Sequence, residues 1–326
     1  MDLREKKILI TGGKGFLGTH LCEHLKTSLG IEIHDLDTTQ VKTTKPGTAY
    51  VFKSETIDLI SQEQTNWLFK GIKPDVVIHL AAEVGGIGAN QKRPGTYFYK
   101  NMVMGINTIE ACRIFKTEKL VIIGTICSYP KFTPTPFKEL DLWNGYPEET
   151  NAPYGIAKKA LFVQAQAYKQ EYGLNSVCLL PVNMYGPHDN FDLETSHVIP
   201  AIIRKIYDAR KYDLQSIECW GTGTATREFI YVKDAAIAIA KATSFYDKAD
   251  PVNIGTGEEI SIKDLVTSIA EIMRYKGQIT WNDKYSDGQP RRCLSTQLAK
   301  DKFGFEARTK LIEGLKETVR WYEQSN

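Results

Sequence analysis

In the first half of the chain, short and nearly continuous apolar runs alternate with stretches of helical period. Residues 7–11 (KILIT), 31–35, 49–52, 75–80 (DVVIHL), 120–124 (LVIIG) and 176–180 (SVCLL) have the length and β-branched content of strands. Residues 16–28, 62–69, 96–115 and 153–172 repeat apolar positions at helical spacing. Strands that are apolar on both faces need cover on both faces, so the alternation predicts an α/β fold with a doubly wound parallel sheet. Beyond residue 181 the regularity breaks. A loop rich in Gly, Pro and Asn (NMYGPHDNF, 183–191) leads to a helix over 197–210 and a strand over 216–221. Short strands follow at 229–232 and 252–254 with a helical segment between them, then helices over 262–275 and 311–323. The pattern predicts a larger domain of 1–181 plus about 230–254. A smaller mixed α/β domain is predicted from 182–229 and 255–326.

Composition narrows the possible functions. Across 326 residues the formal net charge is +2, and no block of Lys or Arg stands out, which argues against a nucleic-acid partner. No apolar stretch approaches the roughly 18 residues of a membrane helix, and the N-terminus lacks the apolar core of a secretory signal. The six cysteines (22, 112, 127, 178, 219, 293) form no CxxC pair, the usage expected of reduced thiols in the cytoplasm. His20, His24, His34 and His79 have no convergent Cys or carboxylate spacing, so no metal site is expected.

Gly12, Gly15 and Gly18 follow the first strand and open a helix (LITGGKGFLGTHL). Glycine there permits a tight turn and close approach of backbone amides to a pyrophosphate at the positive end of the helix dipole. The same spacing also serves a strand-to-helix turn without a ligand; an acidic cluster after the next strand favours the dinucleotide site. In that cluster, Asp35 and Asp37 suit the ribose hydroxyls of NAD, because a carboxylate repels a 2′-phosphate. Lys14, inside the glycine loop, suits the 2′-phosphate of NADP. Asp58 reads equally as an adenine contact or a helix cap.

Tyr154 and Lys158 are spaced i, i+4 at the start of a helix and therefore share a face. An ammonium near a phenol favours the phenolate and makes tyrosine a usable proton donor and acceptor. The strand before them ends at Thr125. With the glycine triplet upstream, this order resembles the extended short-chain dehydrogenase/reductases, whose catalytic set is Ser/Thr, Tyr and Lys. The segments HLAAEVGGIGAN, YKNMVMGIN, CSYPK, APYGIAKK, NMYGPHDNF, SHVIPAIIRK and WGTGTATREFIYVKD resemble the GDP-L-fucose synthase family more narrowly, over about residues 6–235.

That resemblance implies a Rossmann domain followed by a nucleotide-sugar-binding domain. It also implies an NADPH-dependent 3,5-epimerase/4-reductase of a GDP-4-keto-6-deoxy sugar. Thr125 takes the place of the family serine, with Tyr154 and Lys158 as catalytic partners and Cys127 and His197 as the epimerising pair. Taken alone, Cys127 reads as a small core residue and His197 as the start of a helix. Thr125 and Cys127, two apart in an extended segment, would face one sugar. Gly12, Lys14, Gly15, Phe16, Leu17, Gly18, Asp37, Asp58, Leu80, Ala81, Ala82, Lys158, Pro181, Asn183 and Met184 would hold the cofactor. NADPH is favoured slightly, with NAD the alternative. Val84, Gly85, Gly86, Asn183, His197, Lys205, Trp220, Arg227 and Arg291 would hold the GDP-sugar. Asn101 would support the active-site helix, and His188 and Asp189 would be loop scaffolding.

Three positions depart from the family pattern: Thr125 for Ser, Lys205 for an arginine, and Ser295 for an aspartate. All lie on the substrate side and leave room for a different sugar. The alternatives are a C4-reductase without epimerisation (hexose or heptose), an epimerase using bound NAD, or a non-catalytic cofactor-binding regulator. The intact Thr125, Tyr154 and Lys158 set argues against the regulator. The family also implies a homodimer through helices 96–115 and 153–172.

Overall fold

The computed structural model describes residues 1–36 and 44–326. The apolar runs of the first half become β1 (Lys7–Thr11), β2 (Glu32–Asp35), β3 (Thr48–Val51), β4 (Val76–His79), β5 (Lys119–Ile123) and β6 (Ser176–Pro181). Between them lie α1 (Phe16–Leu29), α2 (Gln62–Ile72), α3 (Ile87–Lys92), α4 (Pro94–Ile114) and α5 (Ala152–Tyr172). The chain then forms β7 (Asn183–Tyr185), α6 (Val198–Lys211), β8 (Ser216–Trp220), β9 (Thr226–Tyr231), α7 (Val232–Phe245) and β10 (Val252–Ile254). It ends with β11 (Glu259–Ser261), α8 (Ile262–Ile272), β12 (Gln278–Asn282), β13 (Arg291–Arg292), α9 (Gln297–Phe303) and α10 (Leu311–Ser325).

A sheet of seven described strands runs β10-β6-β5-β4-β1-β3-β2, every neighbour parallel. Every residue of β3, β4, β5 and β6 is buried, which explains why these strands lack polar alternation. Helices α1 and α7 pack together on the sheet, as do α2, α4 and α5. Strand order reverses between β1 and β4, so the crevice beyond their C-terminal ends is the natural ligand site of this topology.

A second core joins Ile199, Ile202, Ile203 and Ile206 of α6 to Leu265, Val266 and Ile269 of α8 and Leu315 of α10. Strand β9 carries its small sheet, paired with β7, β11 and β13, while β8 pairs with β12. Glu228 on β9 ties the two parts together. Its buried carboxylate accepts the amides of Leu294 at 2.6 Å and Gly257 at 2.8 Å, as well as that of Thr256.

Two expectations need adjusting. The strand expected over 229–232 runs Thr226–Tyr231, and Val232 already begins α7. Ala299, Phe303 and Phe305, around α9, belong to the main core, although 255–326 was expected wholly in the smaller domain. Among the described residues no helix is long and apolar enough to cross a membrane.

Candidate active site

The glycine loop has the shape its sequence implies. Gly12 adopts φ +71°, and a Cβ there would lie 2.7 Å from the Ala81 nitrogen; one on Gly18 would lie 2.3 Å from the Gly12 oxygen. Gly15 caps α1, and its amide donates to the Gly12 carbonyl at 3.0 Å. Phe16, Leu17 and Gly18 form the first turn of α1, and the loop abuts the Leu80–Ala82 segment after β4. A bare-backbone turn at a helix N-terminus, at the sheet's switch point, fits the pyrophosphate of a dinucleotide.

At the ribose end, the Lys14 ammonium is ion-paired with the Asp35 carboxylate that closes β2. Asp37 lies outside the described residues. Asp58 is exposed, and its carboxylate accepts the Ile60 amide at 2.9 Å in the turn before α2. Pro181 ends β6; on β7, Asn183 donates to the Glu228 carbonyl at 3.0 Å, and Met184 packs against the main core.

Thr125 leaves β5 and caps a single turn, Ile126–Ser128, its hydroxyl accepting the Cys127 amide at 3.2 Å. The first turn of α5 docks directly on that turn. A Cβ on Gly155 would stand 2.3 Å from the Cys127 carbonyl oxygen, and the Ser128 hydroxyl donates to the Gly155 carbonyl at 2.9 Å. Only glycine lets the backbones meet this closely, and the contact carries Tyr154 to Thr125 and Cys127. Burial pushes the Tyr154 phenol well above its ordinary value, with the Cys127 charge adding to the rise and the Thr125 hydroxyl opposing it. Burial lowers Lys158 to about 8, so its ammonium persists at neutral pH. Beneath them, His79 bonds the Thr11 hydroxyl at 2.8 Å and is driven down to about 3, first by burial and then by Lys158. It is a neutral strut.

Next to Thr125, Cys127 is half-buried while the other five cysteines are buried. Arg292 donates to the Cys127 sulfur at 3.6 Å and to Gln289 Oε1 at 2.6 Å. Gln289 in turn is anchored on the Lys131 carbonyl at 2.5 Å. Arg227 donates to the carbonyls of Thr226 and Asp287, each at 2.7 Å, and sits at about 10, lowered by burial and then by Arg292. Among the described residues, the hydrogen bonds of both guanidinium groups go to neutral atoms. Two crowded cations without a carboxylate between them are suited to a bound polyanion.

Arg291 was expected in this role, and the structure places it elsewhere. Its side chain is 59% exposed and ion-paired with Glu259. Neighbouring residues of a strand point to opposite faces, so Arg292 on β13 enters the site and Arg291 leaves it. Sequence reasoning missed both Arg292 and Gln289. The alternation could have found them only with the register of a two-residue strand in hand.

His197 caps α6 and is exposed to solvent, and the desolvation that the surrounding chain does impose lowers its imidazole below the ordinary value and keeps it neutral. Its approach is set by Gly86, whose amide donates to the Thr195 carbonyl at 2.9 Å and whose Cβ would meet the Ser196 oxygen at 2.5 Å. Gly85 lies as closely against the Tyr97 hydroxyl, and Val84 is exposed. Asn101 braces this loop to α4 through the carbonyls of Glu83 at 3.0 Å and Tyr97 at 2.7 Å. Trp220 lies half-exposed on the rim, with the Lys205 ammonium 5.7 Å from its ring centre and donating to the Glu218 carbonyl at 2.7 Å. His188 packs on Trp321 as scaffold. Among the described residues no group of three or more His, Cys, Asp or Glu side chains is placed to hold a metal.

Residues 8–255 match the model of the NAD dependent epimerase/dehydratase family. The chain is 36% identical over 310 residues to the GDP-L-fucose synthase of Sinorhizobium fredii, covering 95% of this chain and 93% of that protein. Its backbone is similar to that of a GDP-6-OMe-4-keto-L-xylo-heptose reductase from C. jejuni, with TM-score 0.87, 26% identity and 99% of each chain covered. It is also similar to a GDP-L-fucose synthetase from Naegleria fowleri bound to NADP, with TM-score 0.85, 26% identity, and 99% of this chain and 95% of that one covered.

Proposed function

The chain belongs to the NAD-dependent epimerase/dehydratase family, and on that premise we propose that it is an NAD(P)H-dependent 3,5-epimerase/4-reductase of a GDP-4-keto-6-deoxy sugar. The observation that carries this reading is one cluster of side chains: Tyr154 with Thr125 and Cys127, Arg292 on the Cys127 sulfur and Arg227 beside Arg292, with Lys158 one turn along α5 from Tyr154. Redox chemistry at a sugar carbon and recognition of a diphosphate are then adjacent.

The glycine loop, Gly12 to Gly18, would hold a dinucleotide, which when bound would supply the hydride for the C4 ketone. The Thr125 and Tyr154 hydroxyls hydrogen-bond the ketone oxygen, and Tyr154 delivers the proton, its developing negative charge stabilised by the Lys158 ammonium. The ketone acidifies the flanking carbons 3 and 5. The neutral His197 imidazole accepts or returns a proton there, and Cys127 serves the opposite role. NADPH is the cofactor we favour, supported by Lys14 in the glycine loop and by NADP in the solved Naegleria relative, with NADH as the competitor through Asp35.

Helices α4 and α5 pack together while leaving Phe98, Tyr99, Ile106, Val163 and Tyr172 exposed, which supports a homodimer built on that face. Unpaired cysteines support a cytoplasmic setting. A second reading, a C4-reductase without epimerisation, is favoured by the fit to the heptose reductase backbone. Incubating purified protein with GDP-4-keto-6-deoxymannose and each reduced cofactor tests the proposal. Oxidation of the cofactor in step with formation of a 4-hydroxy sugar is expected. No oxidation with this sugar or its 4-keto-heptose counterpart would refute it.

A further inference from the structure

Tyr285 has no place in the chemistry above, yet it occupies a telling position. Strands β8 and β12 pair in parallel with Trp220 opposite Asn282, so the loop leaving β12 passes over the end of β8. There the Tyr285 and Trp220 rings lie parallel, 4.2 Å between centres and 8° between planes. Both rings are open to solvent, 43% and 46% exposed. Residues 283–286 of the loop are all exposed, so the tyrosine ring swings about its own side-chain bonds without disturbing a core.

The same loop reaches the phosphate cations. The Asp287 carboxylate accepts the Thr222 amide at 2.9 Å and the Thr222 hydroxyl at 2.7 Å, while its carbonyl accepts from Arg227. Gln289, two residues on, bonds Arg292, and Arg292 bonds Cys127. Eight residues thus lead from the aromatic pair past the two guanidinium groups to the acid–base sulfur. A nucleoside diphosphate sugar with its phosphates on Arg227 and Arg292 and its sugar at Cys127 directs its base outward along that line.

We propose that Trp220 and Tyr285 form a clamp that parts to take the purine of the nucleoside diphosphate between its rings, making Tyr285 a determinant of base specificity. This rests on the reading of the substrate as a nucleotide-linked sugar. A purine offers a larger stacking face than a pyrimidine, so the clamp discriminates by area. Base–aromatic stacking changes affinity by roughly 5- to 150-fold per ring.

Titration calorimetry with GDP, UDP and inorganic pyrophosphate on wild type, Tyr285→Ala and Tyr285→Phe tests the clamp. GDP affinity should fall within that range in Tyr285→Ala and stay within about twofold in Tyr285→Phe. The GDP preference over UDP should shrink in Tyr285→Ala, and pyrophosphate binding should be unchanged. Unchanged GDP affinity in Tyr285→Ala would overturn the clamp, and tighter GDP binding would show Tyr285 to be a cover that the base displaces. Wild-type protein that binds no nucleoside diphosphate would instead overturn the nucleotide-sugar reading itself. Circular dichroism on each variant separates loss of the clamp from loss of folding.

Discussion

Replacing Gly155 with alanine sets two effects of opposite sign against each other. In the interior of a helix, Gly→Ala ordinarily gains about 0.5–1 kcal/mol by reducing the freedom of the unfolded chain. Here the new Cβ would lie 2.3 Å from the Cys127 carbonyl oxygen and 2.9 Å from its carbon, both backbone atoms that no side-chain rotation can move. Relief requires α5 to retreat from the Thr125–Ser128 turn by about 1 Å, to reach ordinary contact. Overpacking of this kind costs about 1–3 kcal/mol, so the propensity gain is outweighed. The larger consequence is catalytic. The retreat separates Tyr154 from Thr125, and about 1 Å of misplacement in an active site can lower turnover about 10²-fold. The assay is kcat for ketone reduction alongside the urea midpoint. Gly95→Ala serves as control, because its Cβ would meet nothing within 4 Å. Turnover above a third of wild type at unchanged stability would refute the claim that this contact positions the tyrosine.

Tyr154→Phe should lower turnover by about 10²–10⁴-fold with cofactor binding intact; retention of a tenth of wild-type activity removes the tyrosine from proton delivery. Because burial lowers Lys158 to about 8, its charge is present below that value and lost as pH rises through it. Ketone reduction should therefore decline above pH about 8, and an alkaline limb at the ordinary lysine value would contradict the assignment. Asp189 is half-buried and raised to about 7 by desolvation, one oxygen accepting the Asn190 amide and the other inaccessible and unpartnered among the described residues. The folded state thus holds a proton that the unfolded state releases, and stability falls as pH rises from about 4 towards 7. Asp189→Asn should flatten that slope in urea melts across this range; an unchanged slope would place the titration elsewhere. Lys14→Ala should weaken NADPH more than NADH, and equal losses would show that Lys14 does not read the 2′-phosphate.

The doubly wound sheet was legible because its strands are buried on both faces and its helices are long enough to show a period. Thr125, Tyr154 and Lys158 were legible because strand end and helix start place them locally. In the smaller domain the long helices and β8 were legible as well, but β11, β12 and β13 were not, since they are two to five residues long and exist only through pairing with β8 and β9. That is why the pair Arg291–Arg292 was read with the wrong member inward, and why Tyr285 gave no signal. Its partner Trp220 lies 65 residues away and meets it only through the β8–β12 register. The Lys14–Asp35 pair shows the reverse case. Both residues were singled out from sequence, but only the fold shows that they neutralise each other.

The proposed enzyme exchanges protons at carbons 3 and 5 and reduces the ketone between them. Turnover of GDP-4-keto-6-deoxymannose with NADPH in deuterated water, with the product read by nuclear magnetic resonance, tests it directly. Deuterium at both carbon 3 and carbon 5 of a product reduced at carbon 4 is predicted, with exchange disturbed in Cys127→Ser. A reduced product with protium retained at both positions would contradict it and leave Cys127 and His197 as the lining of a simple C4-reductase.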